Sequence, residues 1–393
     1  MRIQRLEVEG FRSLKKVSWE PGALNVVIGP NGSGKSNVLK LLELLQHSSR
    51  QRLDKYIQSL GGVRHITWDS IDTSIEITLE TTHSKPIITS QPNNSLHLCV
   101  DTFSQHNAIL ITREVIKNIF GTPPTDELVL YRDDSEVRII ADGNENTYRT
   151  DEIVKDDELV LSLASSPFKI GNIIFLLSKF ISTASIYRNI DTSDSSIVRY
   201  PVVTAYEKSV LPDGSNLIQV LHTLYTSDRN FESDIDSAMN AAFGNDYEKL
   251  VFPPAADQRV QLRIRWKSLK REQSALDISD GTLRFLYLLA ILANPDPSPL
   301  IAIDEPETGL HPSMFPIIAE FAQDCSRKSQ IIFTTHSPQF LDAFGDTPPT
   351  TTVAQWQNGE TILKVLDGER LAKWLKHYSM GSMFMSGELE AFD

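Results

Sequence analysis

Gly29-Pro30-Asn31-Gly32-Ser33-Gly34-Lys35-Ser36 fits every position of the phosphate-binding pattern G-x-x-x-x-G-K-[ST]. The apolar run at 24–28 is typical of a strand, and residues 36–42 follow a helical pattern. In such a loop, glycines let backbone N–H groups point at phosphates, and the N-terminus of the helix attracts the anion. Lys35 can then reach the β- and γ-phosphates, and the Ser36 hydroxyl can bind Mg²⁺. The stretch predicts a nucleoside-triphosphate site, with a chance glycine turn as the alternative. The candidate nucleotide-binding residues are Gly29, Pro30, Asn31, Gly32, Ser33, Gly34, Lys35, Ser36 and Asn37.

The composition of the 393 residues is that of an ordinary soluble protein, with 40% hydrophobic and 23% charged residues. A net charge of −13 argues against unselective nucleic-acid binding but permits a local basic groove. Cys99 and Cys325 fit no metal-binding spacing, and we expect small buried side chains in a reducing compartment. No run of about eighteen apolar residues occurs, so no membrane span is predicted. The alternation over residues 1–9 favours a strand over a signal peptide, and we expect a cytoplasmic protein.

The order of secondary-structure patterns predicts a nucleotide-binding sheet built from both ends of the chain. Short strand patterns joined by polar loops predict an antiparallel lobe, and residues 157–243 are mainly helical in pattern. Near the C-terminus, two buried strands flank a helix at 314–324, which predicts a parallel sheet. The lobe strands are expected at 75–79, 95–100, 108–112, 128–131 and 137–140. The predicted domains are 1–72 (first half of the head), 73–155 (β-lobe), 156–255 (helical insertion) and 256–393 (second half of the head).

Two acids follow the apolar strand at 301–303. Asp304 at the strand's carboxyl end can hold Mg²⁺ or its water, and Glu305 can polarise an attacking water as a general base. A solvated acidic turn is the alternative for an isolated pair of this kind. Together with the phosphate-binding loop, the pair predicts nucleotide hydrolysis.

Two further pieces lie close to the acids along the chain. His336 follows the strand at 330–334 and is placed to sense a γ-phosphate, although a lone histidine is more often structural. Ser279 and Gly281 begin a helix and predict a second anion site, for which the alternative is a plain N-cap. Asp280 between them would repel a phosphate if it pointed inward.

A basic cluster lies between residues 259 and 271, with Trp266 among the charges. Alternating charges beside an aromatic ring can follow a nucleic-acid backbone. A solvated edge strand whose charges discourage aggregation explains the pattern equally well. The candidate DNA contacts are Arg259, Arg263, Arg265, Lys267, Lys270 and Arg271.

Taken in order, these motifs resemble the ATP-binding-cassette (ABC) heads of RecF, SMC and OLD proteins, and most of all the stand-alone bacterial ATPases of this group. By this resemblance, Gly29–Ser36 corresponds to the Walker A loop and Asp304-Glu305 to Walker B. Residues 279–281 are a degenerate signature motif, 307–312 the D-loop, and His336 the switch histidine. Residues 6–13, 211–217 and 387–389 also match the group.

The resemblance implies an α/β fold, an ABC-type P-loop NTPase head assembled from both chain ends, with an inserted β-lobe and helical segment. It implies ATP and Mg²⁺ as cofactors and a homodimer, or a higher assembly of dimers. Two heads would pair head to tail, with Ser279 and Gly281 acting on the partner's nucleotide. Residues 36–279 lack the heptads of SMC arms. The stretch after His336 is too short for an OLD nuclease domain, so any nuclease or effector is expected on a separate chain.

The expected function is therefore a Mg²⁺-dependent ATP hydrolase. Its ATP-driven dimerisation would switch a DNA-repair or anti-phage defence complex. The alternative is an ATP-binding regulatory scaffold that sequesters a partner protein with little turnover. A transporter motor fits worst, because such heads carry a fuller glycine-rich signature.

Overall fold

The computed structural model describes most of the chain and divides it into two compact units. The first unit contains Met1–Ala184 and Thr350–Gly368, and the second contains Ser185–Pro349 and Glu369–Asp393. In the described part of the chain, no helix combines the length and apolarity needed to cross a bilayer. The described residues are 1–70, 74–83, 94–105, 108–120, 125–141, 144–165, 172–345, 347–366, 368 and 379–387.

An antiparallel sheet of eight strands, counted over the described residues, dominates the first unit. The first hairpin lies at one end of the sheet with its second strand outermost, and the lobe strands follow its first strand in chain order. The predicted antiparallel strands are confirmed, whereas the second strand of the hairpin has no counterpart in the sequence analysis. The strands are β1 (Arg2–Phe11), β2 (Leu14–Trp19), β4 (Ser74–His83), β5 (Asn94–Gln105), β6 (Ala108–Phe120), β7 (Thr125–Arg132), β8 (Glu136–Ala141) and β9 (Asn144–Arg149).

The first unit also joins strands from the two ends of the chain. β3 (Leu24–Ile28) is buried at every residue and pairs in parallel with β19 (Thr350–Gln357). β19 in turn pairs antiparallel with β20 (Glu360–Val365). A sheet with strands from both chain ends is therefore confirmed within this unit. Its helices are α1 (Lys35–Ser48), α2 (Leu53–Ser59), α3 (Thr150–Ile153) and α4 (Asn172–Ser182).

The second unit is built on three parallel strands, in the order β10 (Ser185–Tyr187), β17 (Leu300–Asp304) and β18 (Gln330–Thr335). Helix α8 (Phe315–Cys325) connects β17 to β18, which confirms the predicted strand–helix–strand unit. Cys325 is buried as predicted, and Cys99 in the first unit is half-buried. The other helices are α5 (Leu217–Ser227), α6 (Arg229–Phe243), α7 (Asp280–Leu292), α9 (Pro338–Asp342) and α10 (Met380–Met385).

Two small antiparallel sheets complete the second unit. Their central strands are β14 (Arg259–Val260) and β15 (Arg263–Trp266). The flanking strands are β11 (Val202–Val203) and β13 (Pro254–Ala255) in one sheet, and β12 (Tyr247–Val251) and β16 (Gln273–Ser274) in the other. Of the segment 387–389 that matched the ATPase group, residues 388 and 389 lie outside the described residues.

Candidate functional site

The phosphate-binding loop lies between β3 and α1 in the first unit, as the motif predicts. Gly34 is the N-cap of α1 and has φ +95°, a left-handed conformation that glycine adopts without strain. A Cβ at this position would collide with the Thr361 hydroxyl on β20. The loop therefore requires glycine here for both its backbone conformation and its contact with β20.

Lys35 and Ser33 place two buried polar side chains in the loop. The Lys35 ammonium is buried and donates to the carbonyl oxygens of Gly29, at 2.7 Å, and Pro30, at 2.9 Å. The Ser33 hydroxyl is buried without a hydrogen-bond partner among the described residues. Because a buried hydroxyl without a partner is costly, this orphaned group fits a loop built to bind phosphate oxygens.

The turn after β1 supports the loop through a chain of hydrogen bonds. The Thr361 hydroxyl bonds the Ser13 hydroxyl at 2.6 Å and donates to the Ser33 carbonyl at 2.9 Å. Asn37 donates to Ser13 at 2.6 Å and accepts from Arg12 at 2.9 Å. Asn37, a candidate nucleotide contact, therefore has its side chain held by hydrogen bonds to the turn after β1. Thr361 was not identified from the sequence, because it lies in a distant strand with no motif around it.

The acidic pair lies at the end of β17 in the second unit. Asp304 accepts a hydrogen bond from the Thr334 hydroxyl of β18 and lies 3.9 Å from the Arg188 guanidinium. The next residue, Glu305, has φ +47°, which is rare outside glycine, and its backbone N–H donates to the Thr334 carbonyl at 3.0 Å. Non-glycine residues held in this conformation concentrate at functional sites. The conformation turns the chain sharply at the predicted general base.

His336 lies beside Glu305, the predicted general base. Its Nδ1 lies 3.1 Å from Oε1 of Glu305, and both side chains are partly exposed. The Thr308 hydroxyl lies 3.5 Å from the other oxygen of Glu305. If Nδ1 carries the proton, it donates to the Glu305 carboxylate and leaves Nε2 for a further partner.

Glu307 and Arg284 complete this group. The resemblance placed Glu307 at the start of the D-loop without a separate role, and Arg284 was not identified from the sequence. Glu307 is buried, accepts from the Thr335 hydroxyl and lies 4.0 Å from the His336 ring nitrogen. Its second carboxylate oxygen has no hydrogen-bond partner among the described residues. Burial raises the pKa of Glu307, against the opposing effects of Thr335 and His336. Arg284 reaches from α7 to the Glu305 carbonyl at 3.4 Å.

The signature-like residues form the N-terminus of α7. The Ser279 hydroxyl accepts a hydrogen bond from the Thr282 N–H at 3.2 Å. This is the N-cap contact expected if Ser279 only caps the helix. Asp280 is paired with the buried Arg199 guanidinium. A Cβ at Gly281 would lie 2.6 Å from the Gly309 carbonyl, so only glycine lets α7 approach the turn after Glu307 this closely.

The basic cluster includes β14 and β15, each the central strand of its own sheet, and acidic side chains lie beside β15. β15 has β12 on one side and β16 on the other, so the edge-strand interpretation is wrong. Arg265 lies 2.6 Å from Glu272 and 3.7 Å from Glu248, and the Trp266 ring packs edge-on against Phe243 and Tyr247. Four of the other five cations also have local partners: Arg263 with Glu272, Arg271 with Asp277, Arg259 with the Pro201 carbonyl and Lys267 with the Asn245 carbonyl. These contacts reduce the positive charge available to a nucleic acid.

Comparisons with known proteins agree with the fold. A crystal structure of an SMC head bound to the C-winged helix domain of ScpA aligns with 95% of this chain and all of its own, with a TM-score of 0.54 and 14% identity. RecF proteins of Teredinibacter turnerae and Moorella thermoacetica are 34% and 36% identical over 55 and 66 residues, which cover 15% and 18% of those proteins and 14% and 16% of this chain. The protein has the fold of an ABC-type P-loop ATPase head of the RecF and SMC kind, which confirms the resemblance.

The family follows from matches along most of the chain. Residues 24–90 and 130–342 match the family described as "AAA domain, putative AbiEii toxin, Type IV TA system", and the chain belongs to that family. A Helicobacter pylori protein named ATP/GTP phosphatase is 22% identical over 349 residues, 86% of each chain. An ATPase family of this kind implies nucleotide binding, in agreement with the prediction from the phosphate-binding loop.

Proposed function

We propose that this protein is a Mg²⁺-dependent ATPase whose ATP-bound form pairs with a second copy of itself. The observation that carries the proposal is the left-handed Glu305, held 3.1 Å from His336 directly after Asp304. A hydrogen-bonding partner that orients the carboxylate fits a general base, and a backbone conformation of this kind is concentrated at functional sites. The phosphate-binding loop and the name of the Helicobacter pylori relative support a nucleoside triphosphate as the substrate.

The residues divide the chemistry between them. Lys35 would balance phosphate charge, and the Ser36 hydroxyl and Asp304 carboxylate would hold Mg²⁺, which prefers such oxygen ligands. The metal, when bound, neutralises charge that develops on the phosphates during transfer. Glu305 would accept a proton from the attacking water, while His336 would orient Glu305 and face the γ-phosphate through Nε2. Ser279 and Gly281 would contact the nucleotide held by the second copy.

The biological use we propose is a switch in DNA repair or anti-phage defence that acts with a separate nuclease or effector chain. The partial similarity to RecF supports this use. The alternative use is a regulatory scaffold that binds ATP and holds a partner with little turnover. The carboxylates of Glu248 and Glu272 beside the basic strand favour this alternative, because they oppose binding of a phosphate backbone.

Steady-state ATP hydrolysis measured with no DNA and with duplex, nicked and single-stranded DNA separates the two uses. Glu305→Gln protein serves as the blank for contaminating ATPases. Stimulation by one form of DNA supports the DNA-directed switch. A low rate that is equal in all samples supports the scaffold, and a rate equal to the blank refutes the proposed hydrolysis.

A further inference from the structure

Arg199 connects its own loop to the loop that leads into α7, although the two loops lie far apart in sequence. Its side chain is only 4% exposed. Nε donates to the carbonyl oxygens of Thr192 at 2.9 Å and Ser193 at 3.1 Å, within its own loop. Nη1 donates to the carbonyl oxygens of Ala275 at 3.0 Å and Ile278 at 2.7 Å, in the loop that leads into α7. One guanidinium therefore fixes both loops.

The remaining nitrogen of Arg199 binds the carboxylate of Asp280. Asp280 lies between the two residues proposed to contact a nucleotide phosphate, and its own side chain is mostly exposed. An unpaired carboxylate at this position would repel a phosphate, whereas a carboxylate paired with a guanidinium repels it much less. The same bond draws the carboxylate to the Arg199 side of the helix terminus.

The residue type matters for this role. A guanidinium presents five N–H donors in a rigid plane, so one side chain can satisfy four carbonyl oxygens and a carboxylate at once. A lysine would keep the charge but could not reach the same set of acceptors. Arg199 was not identified from the sequence, because nothing in its neighbourhood resembles a nucleotide-binding motif.

We propose that Arg199 is a positioning residue that makes the Ser279–Gly281 corner able to bind the nucleotide phosphates presented by a second copy of this chain. It acts by fixing the loop before α7 and by neutralising Asp280. The inference rests on the proposed ATP-dependent pairing. Three large apolar side chains beside this connection, Ile197, Tyr200 and Leu276, are 52%, 44% and 54% exposed, which suits a surface that a second copy covers.

The test measures dimerisation in MgATP by sedimentation velocity, with the Glu305→Gln protein as the parent. Adding Arg199→Met is expected to weaken dimerisation by about tenfold or more, equivalent to about 1.4 kcal/mol. Binding of a fluorescent ATP analogue by the monomer is expected to stay unchanged, because Lys35 and its loop are intact. Arg149→Met, which breaks an exposed pair with Asp151 in the first unit, is the matched control and should leave dimerisation unchanged.

A second substitution separates charge neutralisation from simple support of the fold. Adding Asp280→Asn to Arg199→Met is expected to restore part of the lost dimerisation, while Asp280→Asn alone should not weaken it. If Arg199→Met does not fold, two other variants replace it. Arg199→Lys should weaken dimerisation, and Asp280→Asn should leave it unweakened.

The outcomes also distinguish this inference from the proposed function. A dimerising parent with an unaffected Arg199 variant, or a weakening by Asp280→Asn alone, overturns the role of Arg199 and leaves the proposed function standing. A parent that stays monomeric in MgATP overturns the proposed pairing, and the role of Arg199 with it.

Discussion

Thr361→Val removes the one hydroxyl that joins β20 to both the phosphate-binding loop and the turn after β1. Valine has nearly the same shape, so the buried side chain keeps its packing and loses only its polar contacts. Two hydrogen bonds disappear, one with the Ser13 hydroxyl at 2.6 Å and one with the Ser33 carbonyl at 2.9 Å. The backbone bond from the Thr361 N–H to the Ser13 carbonyl, at 2.8 Å, remains.

The size of the effect follows from these two bonds. Each is worth about 1 kcal/mol net, so the free energy of opening this part of the first unit should fall by about 2 kcal/mol. The Ser33 carbonyl loses this donor, whereas Ser13 keeps its bond from Asn37. If most of that loss appears as a less ordered loop, ATP binds about tenfold more weakly.

Two assays report this change. Hydrogen exchange of peptides that cover residues 29–37 should accelerate, and titration with a fluorescent ATP analogue should give a higher dissociation constant. Thr223→Val is the matched control, since it removes one longer bond to the Ala205 carbonyl, at 3.3 Å, in the second unit. An unchanged exchange rate and an ATP affinity within about twofold of the parent would show that β20 does not support the loop.

Two further predictions concern the close approach of α7 and a buried acid. Gly281→Ala should abolish ATP-dependent dimerisation while the monomer still binds ATP, because the new Cβ meets the Gly309 carbonyl at 2.6 Å. Gly368→Ala, where a Cβ meets no atom of the described residues within 4 Å, is the control for the same sedimentation assay. Burial raises the pKa of Glu114 to about 7, although the N–H groups of Val160 and Leu161 and the charge of Arg132 oppose the shift. Because the folded-state pKa lies above the unfolded value, this group favours folding at pH values below about 4.5 and loses that contribution as the pH rises through about 7, by about 3 kcal/mol in all. Urea unfolding at pH 5, 6, 7 and 8 should therefore show a flatter pH dependence for Glu114→Gln than for the parent, and identical slopes would contradict the raised pKa.

Local patterns account for the parts of the fold that the sequence predicted. The eight residues from Gly29 to Ser36 form one loop, and the alternation of strand, helix and strand from residue 300 to 335 lies within one continuous segment. Backbone preferences and hydrophobic periodicity act over such short distances, so they can be read directly. The proximity of Glu305 and His336 follows in the same way, since the carboxyl ends of neighbouring parallel strands meet at one edge of a sheet.

Long-range contacts explain what the sequence did not predict. Thr361 contacts Ser33 of the phosphate-binding loop across 328 residues of sequence, and Arg199 contacts Asp280 across 81 residues. Neither pair has a local sequence pattern that indicates the contact. The central position of β15 is not visible in the sequence either, because its partner β16 is only two residues long and too short to show an alternating pattern. The proposed roles of the nucleotide, metal and signature residues stay predictions, as do the bounds of the four predicted domains.

The most direct test of the central claim is the molar mass of the Glu305→Gln protein in saturating MgATP, measured by sedimentation velocity. Loss of the base should stop hydrolysis while Lys35 and Asp304 still hold nucleotide and metal, so the account predicts a stable dimer. Lys35→Ala in the same background is the control and should stay monomeric, because it cannot hold the phosphates. A Glu305→Gln protein that remains monomeric in MgATP while binding ATP would contradict the account.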